Sequence, residues 1–203
     1  MNSENLYILQ KKPCASITEF ISHWKKLYSY FDDSMYKLNI NKLEFEPQDL
    51  VELFHWKNGM TLKGSGGKEK SFNEKILKRI DIINQYKNLQ EIDLNSFNDE
   101  FSNISAVWRI FLLHTIKPTV YPIYDQHIHR TYNYIYNLDW QSINNAIPNK
   151  TKLDFYFKMY LPFVQSLGVT DLKAMDEAFF AFGQFLLTRN QKYLFENRVL
   201  TYK

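Results

Sequence analysis

The sequence predicts an all-α protein. Apolar residues recur every three or four positions in several segments, which is the spacing of one face of a helix. Capping boxes precede two of these segments, and no stretch alternates apolar and polar residues around a tight turn, as a β-hairpin would. The length of 203 residues suits one domain, or two small lobes that share a core.

Two helices are predicted in the first third of the chain. Ser16 and Glu19 form a capping box ahead of an apolar face that continues to Phe31. Pro47 suits the first turn of the next helix, and Gly59 suits its end. Residues 32–46 between them carry no clear pattern.

The later helices follow in close succession. Ser71 and Glu74 form a second capping box ahead of a further apolar face. Apolar spacing predicts the remaining helices at about 93–100, 105–116, 125–137, 151–167 and 171–187. The last is expected to end near Arg189 and Asn190, and Gly183 inside it predicts a close approach to another helix.

The glycine-rich segment at residues 62–70 is not a phosphate-binding P-loop. That motif needs a glycine where Leu62 stands, and Ser or Thr where Glu69 follows the lysine. We interpret the segment as a mobile loop between helices. The alternative is that Lys63, Lys68 and Lys70 bring this loop to phosphates.

Composition permits a nucleic-acid partner without requiring one. The net charge is +3, and between Glu100 and Asp154 the only acidic residues are Asp125 and Asp139. No apolar run is long enough to span a membrane, and the N-terminus does not resemble a secretory signal. The single cysteine, Cys14, excludes an intramolecular disulfide, so we expect a cytoplasmic protein with no membrane association.

The segment most indicative of function spans residues 101–130. It consists of a short turn, an apolar helix, a loop with two prolines, and Asp125-Gln-His-Ile-His-Arg130 opening a new helix. It resembles the core of the helix-hairpin-helix DNA glycosylases, the superfamily of endonuclease III and the 8-oxoguanine DNA glycosylases. There a Leu-Pro-Gly-Val-Gly hairpin precedes a Val-Asp-x-His-Val/Ile-x-Arg motif. The resemblance implies a two-lobed helical bundle, with lobes at about 1–90 plus 150–203 and 91–149, and a degenerate helix-hairpin-helix element.

The chain departs from the family pattern at the hairpin. Phe-Ser-Asn-Ile-Ser at residues 101–105 replaces the glycines, which adopt positive φ and let the backbone approach a DNA phosphate. Asn103 tolerates that conformation better than most residues. The lysine nucleophile of bifunctional members falls on Ser105, Ala106 or Val107. The resemblance therefore implies a monofunctional enzyme that uses water, with no iron–sulfur cluster and no other cofactor.

Asp125 is the catalytic candidate. Breaking an N-glycosidic bond builds positive charge on the sugar, which a fixed carboxylate stabilises while it orients the attacking water. The start of a helix favours the ionised form of such a carboxylate. A plain helix N-cap would explain the same position, and the motif context favours catalysis.

The resemblance also implies DNA contacts. They fall on Asn103, Ser105, Ala106, His127 and Arg130. For His127 the alternative is a partly buried histidine bonded to a carbonyl, and for Arg130 it is a surface salt bridge. A metal site is not expected, because His127 and His129 do not share a helix face.

A flipped base needs an aromatic or apolar pocket. Trp56, Trp108 and Tyr124 are the candidates, because one ends the second predicted helix and two flank the motif. For Trp56 simple core packing is the favoured alternative.

These observations predict a monomeric DNA glycosylase that acts on DNA, duplex rather than single-stranded. The alternative is a non-catalytic DNA-binding or interaction protein on the same fold, and a third interpretation is a helical structural protein. A further hypothesis places the enzyme in defence against phage with modified bases.

Overall fold

The computed structural model describes residues 12–30, 32–189 and 191. These residues form helices, turns and loops with no strand, so the all-α prediction is confirmed. None of the helices found among them has the length and apolar character needed to cross a membrane. The α-helices are α1 (Ile17–Trp24), α2 (Ser34–Asn39), α3 (Pro47–Asn58), α4 (Gly67–Lys75), α5 (Ile80–Asn88), α6 (Leu94–Glu100), α7 (Ala106–Ile116), α8 (Gln126–Ile135), α9 (Asn149–Phe155), α10 (Leu161–Ser166) and α11 (Leu172–Phe185).

Local capping explains where the first helices begin. The Ser16 hydroxyl accepts a hydrogen bond from the Glu19 amide at 3.1 Å, as the first capping box predicted. The helix α1 nevertheless ends at Trp24, and a 3₁₀ turn follows it. Pro47 opens α3, and Gly59 ends it in the left-handed conformation, as predicted.

The prediction that Ser71 and Glu74 form a capping box at the start of a helix was wrong. Ser71 lies inside α4, which begins four residues earlier at Gly67. The helix therefore takes up the second half of the segment predicted as a mobile loop. Gly64 and Gly66 turn the chain ahead of it with φ values of 79° and 61°, which a side chain would strain.

The helix predicted at 151–167 is interrupted. A π-helical turn at Tyr156–Tyr160 separates α9 from α10. Pro162 stands in the first turn of α10, and since proline has no amide hydrogen, the ladder of α-helical bonds cannot run through it. The end predicted near Arg189 falls beyond Phe185, where α11 stops, while Phe31 and Asn190 lie outside the described residues.

The chain comprises two compact units. The first contains the described residues within 1–28, 126–143 and 174–203. In it, the Phe20 ring of α1 lies edge-on against Phe182 of α11, at 5.3 Å between centroids. At Gly183 the helices α11 and α8 approach each other closely, as predicted. A β-carbon there would lie 2.0 Å from the carbonyl oxygen of His127 in α8.

The second unit contains residues 29–125 and 144–173. Its core includes the apolar faces of α3 and α7, where Leu53, Phe54, Ile110 and Phe111 are fully buried. The rings of Phe54 and Phe111 meet edge to face with centroids 5.2 Å apart. This packing positions the last turn of α3, which carries residues of the candidate site.

Candidate active site

Asp125 lies at the end of the loop that follows α7, directly before α8. Its side chain is 27% exposed, and its Oδ2 lies 3.9 Å from the Lys57 ammonium. The carboxylate is therefore accessible from solvent on one side and faces a cation on the other. A carboxylate so placed can meet a positively charged reaction centre or a water molecule.

Lys57 comes from the last turn of α3 and is nearly buried, with 7% of its side chain exposed. Its Nζ donates a 2.9 Å hydrogen bond to the carbonyl oxygen of Tyr124. The same nitrogen lies 5.7 Å from the centre of the Phe111 ring. Lys57 thus joins α3 to the backbone immediately before Asp125.

The two neighbours of Lys57 hold other parts of the same unit. The Trp56 indole donates to the Asp33 carboxylate at 2.8 Å. The Asn58 side-chain oxygen accepts from the Trp108 indole at 3.3 Å. Three consecutive residues therefore fix three different segments around one helix end.

Gly59 and Tyr30 complete this helix end. The Tyr30 hydroxyl donates to the Trp56 carbonyl at 2.7 Å, which satisfies one of the carbonyls that the end of α3 leaves without a helical partner. Gly59 has φ of 65°, and a β-carbon there would lie 3.2 Å from the Tyr30 hydroxyl oxygen. Burial, helped by the negative charges of Asp125 and Asp33, raises the pKa of Tyr30 to about 12. Tyr30 is therefore a neutral hydrogen-bond donor near neutral pH.

Two of the three predicted pocket aromatics are buried. Trp56 is 5% exposed and Tyr124 is 1% exposed. The Trp56 ring packs against Tyr36 at 4.6 Å, and the Lys173 ammonium lies 5.2 Å from it. Stacking of a base on these rings would need side chains to move, so their pocket role stays a prediction.

Trp108 is the partly exposed member of the three. It lines a pocket of about 490 Å³ together with residues of α4 and of the turn at 101–105. Its ring is held edge-on against Phe54 at 5.5 Å. A fixed aromatic side chain that borders an open pocket is suited to contact a ligand.

The turn at residues 101–105 joins α6 to α7 and contains the predicted DNA contacts. Asn103 is exposed but does not adopt positive φ, because Asn137 is the only non-glycine residue in the described part of the chain that does so. Ser105 caps α7, its hydroxyl accepting from the Trp108 amide at 3.4 Å. The Ala106 amide already donates to the Asn149 side chain at 3.1 Å. The turn therefore lacks the positive φ that Asn103 was expected to tolerate, and its first α7 amide is already engaged.

Arg109 braces the turn from inside α7. Its guanidinium donates to the Ser102 carbonyl at 2.7 Å and to the Ile104 carbonyl at 3.3 Å. The turn is thus held in one shape by a side chain rather than by glycine conformations.

His127 and Arg130 lie on α8 in the first unit. Arg130 is 2% exposed and donates to the Ile143 carbonyl at 2.5 Å and to the Gly183 carbonyl at 3.4 Å. Its guanidinium also lies 2.9 Å from Nδ1 of His127. Because arginine only donates, Nδ1 accepts and the neutral ring carries its hydrogen on Nε2. Arg130 is therefore a buried residue that binds backbone carbonyls, not one exposed on the surface, and a phosphate contact would have to replace these bonds.

His114 is a buried part of the second unit. Its Nδ1 lies 2.6 Å from the Tyr121 carbonyl oxygen, so this nitrogen carries the hydrogen. Its Nε2 then accepts from the Tyr36 hydroxyl at 2.7 Å. Burial lowers the pKa of His114 to about 3, and the nearby positive charges of Lys57 and Lys173 act in the same direction.

Sequence reasoning missed Lys57 and Lys75, whereas Lys68 was one of the three lysines named for a possible phosphate contact. Lys57 stands next to the singled-out Trp56, but no periodicity indicates that a lysine at a helix end meets an aspartate 68 positions later. Lys68 and Lys75 line the pocket beside Asn103 and Ser105. Their spacing of seven residues on one helix face was available, but the start of α4 had been placed too late to reveal it.

In comparisons with known proteins, no protein family, no curated protein and no solved structure matches the chain. Within residues 12–30, 32–189 and 191, no three His, Cys, Asp or Glu side chains are grouped closely enough to hold a metal ion.

Proposed function

We propose that the protein is a monofunctional DNA N-glycosylase that flips a modified or damaged base out of DNA and removes it by hydrolysis. The observation that carries the proposal is the accessible Asp125 carboxylate beside a nearly buried lysine. The resemblance of residues 101–130 to the helix-hairpin-helix glycosylases supplies the reaction class. The all-α structure agrees with that resemblance.

The proposed reaction begins when the bond between the sugar C1′ and the base nitrogen breaks. Its electron pair leaves with the base, which takes up a proton from solvent water, and positive charge develops on the sugar. The Asp125 carboxylate stabilises this charge. A water molecule then adds through its oxygen to C1′ and gives a proton to Asp125, which releases it to solvent and is again a carboxylate. The products are the free base and an abasic site.

In this reaction Lys57 is a positioning residue. It binds the carbonyl of Tyr124 and so fixes the backbone from which the catalytic carboxylate extends. Rigid placement matters, because a misplacement of about 1 Å in a catalytic group can reduce the rate on the order of 100-fold.

Excision from defined duplexes tests the proposal. Labelled duplexes carry 8-oxoguanine, uracil, an alkylated purine or hydroxymethylcytosine, and each reaction is analysed with and without hot alkali. We expect breaks that depend on alkali at one of these bases with the unmodified protein, and none with Asp125→Asn. Equal breaks with both proteins would contradict the assignment of Asp125.

A specific observation favours one alternative, a DNA-binding protein without catalysis. The turn at 101–105 lacks the left-handed backbone of the family hairpin, and the Ala106 amide is engaged by Asn149. Salt-dependent DNA binding with no excision of any base would support this alternative.

A further inference from the structure

The pocket of about 490 Å³ in the second unit carries positive charge on one of its walls. Lys68 and Lys75 of α4 line it, together with the hydroxyl groups of Ser71 and Ser105. The described residues around it include no Asp or Glu. Ammonium and hydroxyl donors without a competing carboxylate suit a phosphate group.

The helix α4 separates its charges by face. The acidic residues Glu69 and Glu74 lie on the opposite side, where they line a second depression with Lys70 and Lys78. On that side Lys70 pairs with Glu74 at 4.0 Å. The basic side chains facing the larger pocket are thus kept apart from the carboxylates of their own helix.

The pocket also borders the turn at 101–105. The Lys75 ammonium donates to the Asn103 carbonyl at 2.9 Å, which places its charge at this turn. The first amide of α7 is taken by Asn149, and a later one by the Ser105 hydroxyl. Two amides at the start of α7 are therefore already engaged within the protein.

We propose that Lys68 and Lys75 form an anchor for the phosphodiester backbone of DNA, in which side-chain ammonium groups replace the backbone amides of a glycine hairpin. The anchor binds a phosphate whatever base is acted on. This proposal depends on the proposed function in one respect, namely that the phosphate belongs to DNA. Trp108, fixed at the pocket edge, is placed to contact the sugar or base next to that phosphate.

The test compares the two lysines of α4 that line the pocket with a control pair, Lys70 of α4 and Lys78 of the 3₁₀ turn that follows it. Lys68→Gln/Lys75→Gln removes the proposed anchor, and Lys70→Gln/Lys78→Gln removes the same charge from the opposite face. Binding of a fluorescent 20-base-pair duplex is measured over a series of salt concentrations. For two lost phosphate contacts, the slope of log affinity against log salt should become shallower by about 1.8, since each contact contributes about 0.9. The control pair should leave the slope close to its original value.

Two further measurements keep the outcome decisive. Lys68→Gln alone leaves the bond from Lys75 to Asn103 intact, and it should reduce the slope by about 0.9. Inorganic phosphate and pyrophosphate are added as competitors, because a site for free phosphate would be saturated by them at low millimolar concentration. In that case the anchor would be assigned to a small anion, and the proposal for DNA would be overturned.

Other results also overturn the anchor. They are an absence of duplex binding, equal losses of slope in both pairs, or an unchanged slope in the Lys68→Gln/Lys75→Gln protein. A reduced slope in a protein that excises no base would support the anchor and contradict the proposed glycosylase. The two proposals therefore fail separately.

Discussion

The Nζ of Lys57 lies 3.9 Å from Oδ2 of Asp125 and 2.9 Å from the carbonyl oxygen of Tyr124. The lysine hydrogen bond thus goes to the backbone, while its charge faces the carboxylate. Through this geometry the last turn of α3 fixes the position of Asp125.

Replacement of Lys57 by methionine should reduce the single-turnover excision rate about 10- to 100-fold, because the Asp125 carboxylate loses its fixed position. Affinity for DNA should change little, since the lysine side chain is only 7% exposed. Excision by Lys57→Met at the rate of the unmodified protein would contradict the positioning role.

Lys87→Met is the matched control for Lys57→Met. Lys87 also donates to a backbone carbonyl, that of Thr115 at 3.1 Å, and lies over the Phe45 ring at 4.1 Å. The Lys87→Met protein should be less stable to heat but should keep the excision rate of the unmodified protein. Borohydride added to a reaction on abasic DNA adds a separate criterion. A trapped cross-link that disappears with Lys57→Met would assign the lysine as a nucleophile instead.

Gly183→Ala should destabilise the first unit by at least 1–3 kcal/mol, the usual range for overpacking. The added β-carbon would lie 2.0 Å from the His127 carbonyl oxygen and 2.6 Å from its carbon, and backbone cannot move aside cheaply. Gly67→Ala is the control, because a β-carbon there meets nothing within 4 Å. Urea unfolding of both variants measures the difference. Equal stabilities would show that α8 and α11 do not approach so closely.

Stability should fall with pH below about 6.5, partly because of His114. Its pKa is lowered to about 3 in the folded protein from 6.5, so between these values the unfolded chain binds the extra proton. This contribution is complete above pH 6.5 and is lost as pH falls towards 3, by up to about 1.4 kcal/mol per pH unit.

His114→Gln separates this contribution from the other titrating groups. The variant should be less stable at pH 7, since the bonded pair with Tyr36 is lost. Its stability should depend less steeply on pH between 6 and 4. Urea unfolding at several pH values measures both slopes, and parallel slopes would contradict the buried neutral histidine.

Local signals predicted much of the helical fold. These signals depend only on residues within one or two helical turns, so they can be recognised in the sequence. They include the cap at Ser16, Pro47 and Gly59 at the two ends of α3, and the apolar faces after residue 90. The close approach of another helix to Gly183 could also be predicted, because glycine is rare inside a helix without a packing reason. The start of α4 was misplaced because Gly67 begins the helix without a side-chain cap, whereas Ser71 and Glu74 imitate one.

The candidate site was predicted only in part. Asp125 stood out through its motif, while its neighbour Lys57 depends on the packing of α3 against α7, which no local pattern encodes. Arg130 was expected among the DNA contacts because of the family resemblance, but it is 2% exposed. Its guanidinium donates to the carbonyls of Ile143 and Gly183, which come close to Arg130 only in the folded chain.

Release of a free base measures directly whether Asp125 serves base excision. DNA rich in varied modified bases is incubated with the unmodified protein or with Asp125→Asn, and small molecules are identified by mass spectrometry. We expect the unmodified protein to release one class of modified base and to leave an equal number of abasic sites in the DNA. Asp125→Asn should release none. DNA that stays intact with both proteins, or equal release by both, would contradict this role of Asp125.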